Sequence, residues 1–461
     1  MANEAFDAVI IGSGQAGKPL ALALAMAGWK TAIIERAFVG GTCINYGCTP
    51  TKTMVASARA AYLARRAADF GVNAGPVSVD MRRVVARKQS IVERFRNGGQ
   101  DRMQKTNNLD LIFGDAKFVD ATTVEVATDK GTRRLGAPKI VINTGGRPTK
   151  PSIAGLADVP ALDSTSVMEL DEVPRHLLVV GGGFIGLEFA QMYRRFGADV
   201  TVLEGAARLA PRDDEDVGDA LQALLREDGL RIECGATVEK IEGKAGDITV
   251  RYTQSGQAQS VHGSHLLVSV GRRPNSEDLN LGAAGVKVDR AGFISVDDTL
   301  QTNVEGIFAV GDVKGGPAFT HISYDDYRIL RDRWVNKADA RLGDRMVPNT
   351  VFIDPQLAQV GLNETEARKR GLDIRVAKIG MNGVARALET SESRGFVKVI
   401  VDAKTAQILG CTVLGIEGGE IMSMLQIAMM GKLPYTVLKE AIFAHPTLAE
   451  GLNNVFLALD A

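Results

Sequence analysis

Cysteine is scarce in this chain, with four among 461 residues. That is too few for a structural disulfide framework, and a close pair in a reducing compartment points instead to catalysis or metal binding. Histidine is nearly as rare, with five. Charge of either sign is not in excess: 54 basic and 55 acidic residues leave a formal net charge of -1. Nothing electrostatic therefore invites nucleic acid or an anionic membrane as partner. Long hydrophobic runs are missing too, since the apolar stretches are strand-sized or Ala-rich helices broken by charge. They fall well short of the roughly 18 apolar residues of a spanning helix. Glu4 and Asp7 stand where a signal peptide would have a basic start and an apolar segment, so a cytoplasmic location is expected. No segment is of low complexity. The length exceeds what one hydrophobic core supports, and roughly two to four domains are expected.

What the chain does have is a dinucleotide-binding unit, twice. Phe6 to Ile11 reads as a buried strand, Gly12, Gly14 and Gly17 give a G-x-G-x-x-G turn, an Ala- and Leu-rich helix follows, and Thr31 to Ile34 is a second strand ending at Glu35. The first glycine permits the tight turn, the second lets backbone approach a pyrophosphate, and the third allows close helix packing. The helix N-terminus offers N–H groups to phosphate, and Glu35 suits ribose hydroxyls. The pattern recurs as Gly181, Gly183 and Gly186 after Leu177 to Val180, with Glu204 ending the strand Asp199 to Leu203. Each landmark lies 169 residues beyond its counterpart, which argues against two accidental Gly-rich turns.

Cys43 and Cys48 follow the first unit, five residues apart in GGTCINYGCTPTK. Delivery of a thiol pair beside a nucleotide site suggests redox chemistry. Five residues of regular helix rise about 7.5 Å, more than the Cα separation of about 4.4–6.8 Å that a disulfide tolerates. A bridged pair needs an irregular helix start, for which Gly40, Gly41, Gly47 and Pro50 supply the means. A metal clip competes with this reading, although two thiols without a nearby His or further Cys make only half a zinc site. Two unpaired thiols are the remaining option. Cys234 and Cys411 lie in strand-like text and read as inert core thiols.

Together with TGGRP at Thr144 to Pro148, GGGFIGLEFA at Gly181 to Ala190, GRRPN at Gly271 to Asn275, GIFAVGD at Gly306 to Asp312 and HPTLAE at His445 to Glu450, these runs resemble one family essentially end to end. It is that of the FAD-dependent pyridine nucleotide-disulfide oxidoreductases, the glutathione reductase, dihydrolipoamide dehydrogenase and mercuric reductase class. The resemblance implies an α/β fold with two Rossmann-like dinucleotide-binding domains and an α+β C-terminal dimerisation domain. The expected boundaries are 1–148 with 273–344 for FAD, 149–272 for NAD(P), and 345–461 for dimerisation.

The resemblance also assigns roles. Cys43 and Cys48 become a redox-active disulfide, Cys48 as the charge-transfer thiolate against the flavin and Cys43 exchanging with substrate, both favoured by a helix N-terminus. Lys52, four residues beyond Cys48 on the same helix face, is placed beside the flavin N5 with Glu188 as its partner; the plain alternative is two exposed charged residues. His445, with Glu450 fixing its tautomer, is the general acid-base reaching the partner subunit's Cys43, unless it is an ordinary loop histidine held by Pro446. Gly12, Gly14, Gly17, Glu35, Gly41, Thr42, Lys52, Gly145 and Asp312 are expected to hold FAD, with Asp312 at the ribityl chain. Gly181, Gly183, Gly186, Glu204, Val238 and Gly271 are expected to hold the nicotinamide coenzyme. No resident metal is implied. The remaining histidines, His176, His262, His265 and His321, read as structural.

Glu204 would accept hydrogen bonds from the 2′-OH of NAD and repel the 2′-phosphate of NADP, so NADH is favoured. Arg208 nearby softens that preference, because family members using NADP place basic residues in this region. Departures from the family's pattern bear on the acceptor. The chain ends in LALDA, without the C-terminal cysteine pair of mercuric reductases or the redox tail of larger thioredoxin reductases. No appended lipoyl or metal-delivery domain is expected, since the first strand is read from Phe6. Ala449 stands where dihydrolipoamide dehydrogenases usually carry Ser, and FTHISYDDYRILRD from Phe319 to Asp332 also departs from them. That segment resembles the reactive-chlorine-resistance flavoproteins, mercuric-reductase-like enzymes implicated in copper(II) reduction and oxidant defence. Tyr324, Tyr327, Asp325 and Asp326 within it either shape an acceptor site or fill the dimer interface. The expected protein is thus a homodimer that takes electrons from NADH to a metal ion such as Cu(II) or a small oxidant. Its alternatives are a dihydrolipoamide dehydrogenase in a multienzyme complex and a redox-sensing flavoprotein with negligible turnover.

Overall fold

A computed structural model describes residues 3–343 and 345–460. The chain forms two compact units, one from residues 1–53, 83–149 and 271–345, the other from 54–82, 150–270 and 346–461.

The first unit is built on a five-stranded parallel sheet in the order Ile307–Ala309, Ile140–Ile142, Ala8–Ile11, Thr31–Glu35, Leu109–Phe113. Its central strands are apolar throughout because both faces are covered. Val9, Ile11, Ile140 and Ile142 point into one core with Val124, Val126 and Leu135 of the antiparallel strands Asp115–Phe118, Thr123–Thr128 and Gly131–Gly136. Ala8, Ile10 and Val141, one residue out of phase, point into a second core with Leu20 and Leu24 of the helix Gly17–Met26 and Leu330 and Trp334 of the helix Thr320–Trp334. Alternation with period two thus feeds two cores from one strand. The strand leading into the first glycine turn begins at Ala8, two residues later than the sequence suggests, because Glu4–Ala5 forms a separate short strand along Gly131–Gly136 and Phe6 donates its N–H to the Gly136 carbonyl at 2.9 Å.

The second unit carries a four-stranded parallel sheet in the order Arg231–Cys234, Asp199–Glu204, His176–Val180, His265–Val268. Beside it in the chain are three antiparallel strands, Ala236–Lys244, Asp247–Gln254 and Gln257–Gly263. The C-terminal part is a five-stranded antiparallel sheet in the order Asn349–Val351, Gln356–Gly361, Ile408–Gly415, Phe396–Asp402, Ile374–Gly380. The helices Gly418–Met430 and Gly451–Leu457 pack on it through Ile421, Leu425, Leu452, Val455 and Phe456. Lys398, almost wholly buried, links the two parts by ion pairs to Asp214 at 3.0 Å and Asp216 at 3.2 Å, and pairs within its own part with Glu364 at 2.9 Å. Among the described residues no helix is long and apolar enough to cross a membrane.

Candidate functional site

The two glycine turns have the same construction. Gly12 and Gly181 both have φ of +103°, and a Cβ on them would lie 2.4 Å from the Asn143 carbonyl oxygen and 2.7 Å from that of Ser269. A Cβ on Gly17 or Gly186 would lie 2.1 Å from the carbonyl oxygen of Gly12 or Gly181, so only glycine brings helix and strand this close. Gly14 is within reach of the Asn143 amide, whereas nothing of the protein lies within 4 Å of a Cβ on Gly183, and that space is open to a coenzyme.

The acidic residues expected at the ribose positions return to these turns. Glu35, buried, accepts from the Ser13 N–H at 3.1 Å, the Ser13 hydroxyl at 2.6 Å and the Ala37 N–H at 2.9 Å. Glu204 accepts from the Gly182 N–H at 2.6 Å and the Ala206 N–H at 2.7 Å. Both carboxylates are oriented by backbone before any ligand arrives. Val238 lies in the strand Ala236–Lys244 just before a register shift, and the Gly271 carbonyl accepts the Thr149 N–H at 2.9 Å.

Around the thiols the helix is broken. Cys43 sits in the short helix Gly41–Asn45, which enters through left-handed residues Gly40 (φ +105°) and Gly41 (φ +63°), and a new helix, Cys48–Arg65, begins at the second cysteine. A Cβ on Gly41 would lie 2.7 Å from the Gly14 Cα, so the segment carrying Thr42 and Cys43 rests on the first glycine turn. Cys43 is half-buried and Cys48 exposed. The Cys48 side chain hydrogen-bonds Cys43 and, with burial, raises the Cys43 pKa far above the ordinary thiol value; a hydrogen bond from Thr320 and the charge of Lys52 oppose that rise. Thr320 Oγ1 also lies 3.3 Å from Cys48 Sγ.

Gly145 (φ +67°), whose carbonyl accepts the Asn275 N–H at 2.9 Å, has open space where a Cβ would be. Asp312 lies in the turn Gly311–Lys314 directly after the strand Ile307–Ala309. Burial raises its pKa, against the charges of Arg272 and Lys314, while Asp326 adds to the rise. A half-buried acid poised at a sheet end, beside glycine turns that leave open space, fits a polyhydroxyl chain and pyrophosphate. The residues present therefore fit FAD.

Glu188 is 5% exposed on the helix Phe184–Phe196 in the second unit, and its Oε1 accepts the Phe352 N–H at 2.8 Å. Lys52 belongs to the first unit. His445 is exposed, and its Nδ1 lies 2.8 Å from Glu450 Oε2, so the carboxylate orients the ring. The four residues left undecided between acceptor site and dimer interface separate. Asp326 and Tyr327 are buried at 0% and 8% exposure inside the first unit, while Tyr324 is exposed at 40%.

Residues 6–326 match the pyridine nucleotide-disulphide oxidoreductase family, and residues 347–456 match its dimerisation domain. The chain belongs to the pyridine nucleotide-disulfide oxidoreductases. Among its relatives is the probable pyridine nucleotide-disulfide oxidoreductase RclA of Escherichia coli, 38% identical over 98% of both chains. A mercuric reductase of Lysinibacillus sphaericus is 34% identical over 99% of this chain and 83% of its own. The solved Cu(II) complex of HOCl-induced flavoprotein disulfide reductase RclA from Escherichia coli superposes with a TM-score of 0.91, at 38% identity and 99% coverage of both chains. As a member of this family the chain is a flavoprotein disulfide reductase that uses FAD and a pyridine nucleotide and dimerises through its C-terminal domain. An enzyme, rather than a passive redox sensor, is what these relatives support.

Sequence reasoning missed Thr320. It stands 272 residues from Cys48, and only the turn before it and the helix it opens bring it to the sulfur.

Proposed function

We propose that this oxidoreductase uses NADH to keep the Cys43–Cys48 pair reduced, and that the pair hands electrons to a cupric ion or another small oxidant. A bound flavin supplies the electron exchange between nicotinamide and thiols. In the last step the dithiol gives one electron to each of two Cu(II) ions, the Cys43–Cys48 bond closes, and two protons leave. The observation that carries this reading is the thiol pair at a helix break, with the Thr320 hydroxyl and the Lys52 charge both favouring the thiolate form. The full-length likeness to a protein solved as a Cu(II) complex supports the acceptor.

In this reading Gly12, Gly14, Gly17, Glu35, Gly41, Thr42, Gly145 and Asp312 hold FAD, with Lys52 at the flavin and Glu188 as its partner. Gly181, Gly183, Gly186, Glu204, Val238 and Gly271 hold NADH, and His445 with Glu450 moves protons at the partner subunit's Cys43. The domains are 1–148 with 273–344, 149–272 and 345–461, and the enzyme works in the cytoplasm. Arg208 supports NADH over NADPH. Its guanidinium donates to the carbonyls of Asp213 at 2.7 Å and Asp214 at 3.1 Å, which occupies the cation that would otherwise meet a 2′-phosphate.

Anaerobic turnover of NADH in the presence of Cu(II), run beside oxidation of dihydrolipoamide with NAD, tests the acceptor. Copper-dependent NADH oxidation without lipoamide turnover is expected; the reverse would make the chain a dihydrolipoamide dehydrogenase despite Ala449. A long-wavelength thiolate-to-flavin absorption on partial reduction should vanish in Cys48→Ser, and its persistence there would remove Cys48 from its assigned role.

A further inference from the structure

Asp326 is the one acid of the Phe319 to Asp332 segment with no exposed surface, and the functional reading above gives it nothing to do. Its carboxylate has three donors. The Gly311 N–H reaches Oδ2 at 2.8 Å, Lys314 Nζ lies 3.3 Å from the same oxygen, and Arg345 Nη1 lies 2.9 Å from Oδ1. The same Arg345 nitrogen contacts Asp325 at 3.1 Å. The Lys314 side chain is 6% exposed.

Two of these three donors, Gly311 and Lys314, belong to one short turn. They are its two ends, and Asp312 is its second residue. Gly311 has φ of +70°, and a Cβ there would lie 2.7 Å from Ser323 Oγ and 3.3 Å from Asn143 Oδ1. The turn is thus held from the helix Thr320–Trp334 at Ser323 and again at Asp326, one helical turn later. Asn143, the other contact, also donates to the Gly12 carbonyl at 3.1 Å, which ties this turn to the first dinucleotide fingerprint. Packing alone does not call for a carboxylate here. Replacing a buried ion pair by apolar side chains of similar volume is often neutral or stabilising, so a buried acid with two cations is better accounted for by orientation than by stability.

We propose that Asp326 is a positioning residue for the flavin, fixing the Gly311–Asp312 turn through the Gly311 N–H while Lys314 and Arg345 balance its charge. The inference rests on the reading of Asp312 as the ribityl-binding acid. It assigns the acids of the DDYR run to the back of the flavin site and not to an acceptor site or a subunit interface.

The test uses full-length apoprotein titrated with FAD, followed by quenching of flavin fluorescence, for wild type, Asp326→Ala, Asp326→Asn, Asp312→Ala and the Asp312→Ala/Asp326→Ala double variant. Asp326→Ala is expected to raise the Kd for FAD about tenfold or more, the worth of one hydrogen bond to a charged group. Asp326→Asn, which still accepts from Gly311 but takes this anion from Lys314 and leaves Arg345 with Asp325 alone, should fall between that variant and wild type. In the Asp312→Ala background, loss of Asp326 should change the Kd less than about twofold, because the residue it positions is gone. A general structural role would instead give additive losses, and additivity overturns the proposal. So does wild-type FAD affinity in Asp326→Ala when Asp312→Ala is weakened, an outcome that leaves the Asp312 reading intact. Wild-type affinity in Asp312→Ala sinks that reading and the proposal with it. If Asp326→Ala does not fold by circular dichroism, the same cycle is run with Asp326→Asn.

Discussion

Thr320 contributes one hydroxyl and reaches both sulfurs, as a neighbour of Cys48 at 3.3 Å and as a hydrogen-bond donor that lowers the Cys43 pKa. Two coupled thiols titrate as a pair, so a donor to either one shifts the pair. Thr320→Val keeps the shape and removes the donor. Because a hydrogen bond to an ionised group is worth about 1.5 kcal/mol or more, the thiolate fraction at pH 7 should fall by about tenfold. The sign follows from the thiol: a raised pKa means less thiolate at neutral pH and parity only in strong alkali. Alkylation of the NADH-reduced enzyme by iodoacetamide, followed against pH, would therefore slow at pH 7 and converge with wild type at high pH. An unchanged profile would leave Thr320 as packing. At this scale the sequence is legible where chemistry depends on backbone. Gly12, Gly17 and Glu35 announce themselves because the turn admits few other residues, whereas Thr320 and Asp326 act across a fold that brings distant segments together.

Elements in the second unit are joined by a buried charge at Asp354. Arg195, on the helix Phe184–Phe196, and Arg59, in the helix Cys48–Arg65, both bind its carboxylate. Gln191 closes the arrangement, accepting the Asp354 N–H at 2.7 Å and donating to its carbonyl at 2.8 Å. Burial pushes the Asp354 pKa up, but the charges of Arg195 and Arg59 outweigh it and hold the carboxyl below its ordinary value. A depressed folded-state pKa gives stability that is present above the unfolded value of about 3.9 and is lost as pH falls through the folded value. Asp354→Asn should cost about 3 kcal/mol at pH 7, since Arg195 stays buried without that anion. Urea unfolding at pH 7 and below pH 4 checks both halves, because the gap between variant and wild type should narrow in acid. The sequence located most elements and misjudged their ends. Strands buried on both faces, such as Ala8–Ile11, stand out as apolar runs. The helix expected over Pro434 to Ala441 is only Tyr435–Lys439, because Pro434 is extended as its N-cap and Glu440, with φ -98° and ψ 1°, closes it before Ala441.

In the molecule as a whole, ligand and fold should answer to each other. Ligand bound only by the native state adds about 4 kcal/mol at 1,000 times its Kd. FAD added to apoprotein is expected to slow amide exchange chiefly in residues 8–53, 140–149 and 307–326, and NAD in residues 176–206 and 265–271. Mass-resolved hydrogen exchange reads both, and FAD protection centred on the second set would reverse the assignment of the two nucleotide sites. The C-terminal segment carries Ile427, Met430, Val437 and Ile442 at 69%, 64%, 47% and 102% exposure, an apolar surface in keeping with its match to a dimerisation domain. The two-nucleotide plan was legible because the fingerprint is repeated whole, whereas the acceptor was legible only through the resemblance carried by Phe319 to Asp332, since chains similar from end to end include both mercuric reductases and dihydrolipoyl dehydrogenases.

The matched glycine turns make this chain its own control. Gly17→Ala and Gly186→Ala introduce the same methyl at the same 2.1 Å from a carbonyl oxygen, so the steric insult is equal by construction. Their consequences should diverge. The first protein should purify colourless or nearly so, while the second should stay yellow, bleach with dithionite and resist bleaching by NADH. One enzyme would have lost its pigment and the other only its fuel line, from an identical lesion placed in either half of an internal duplicate.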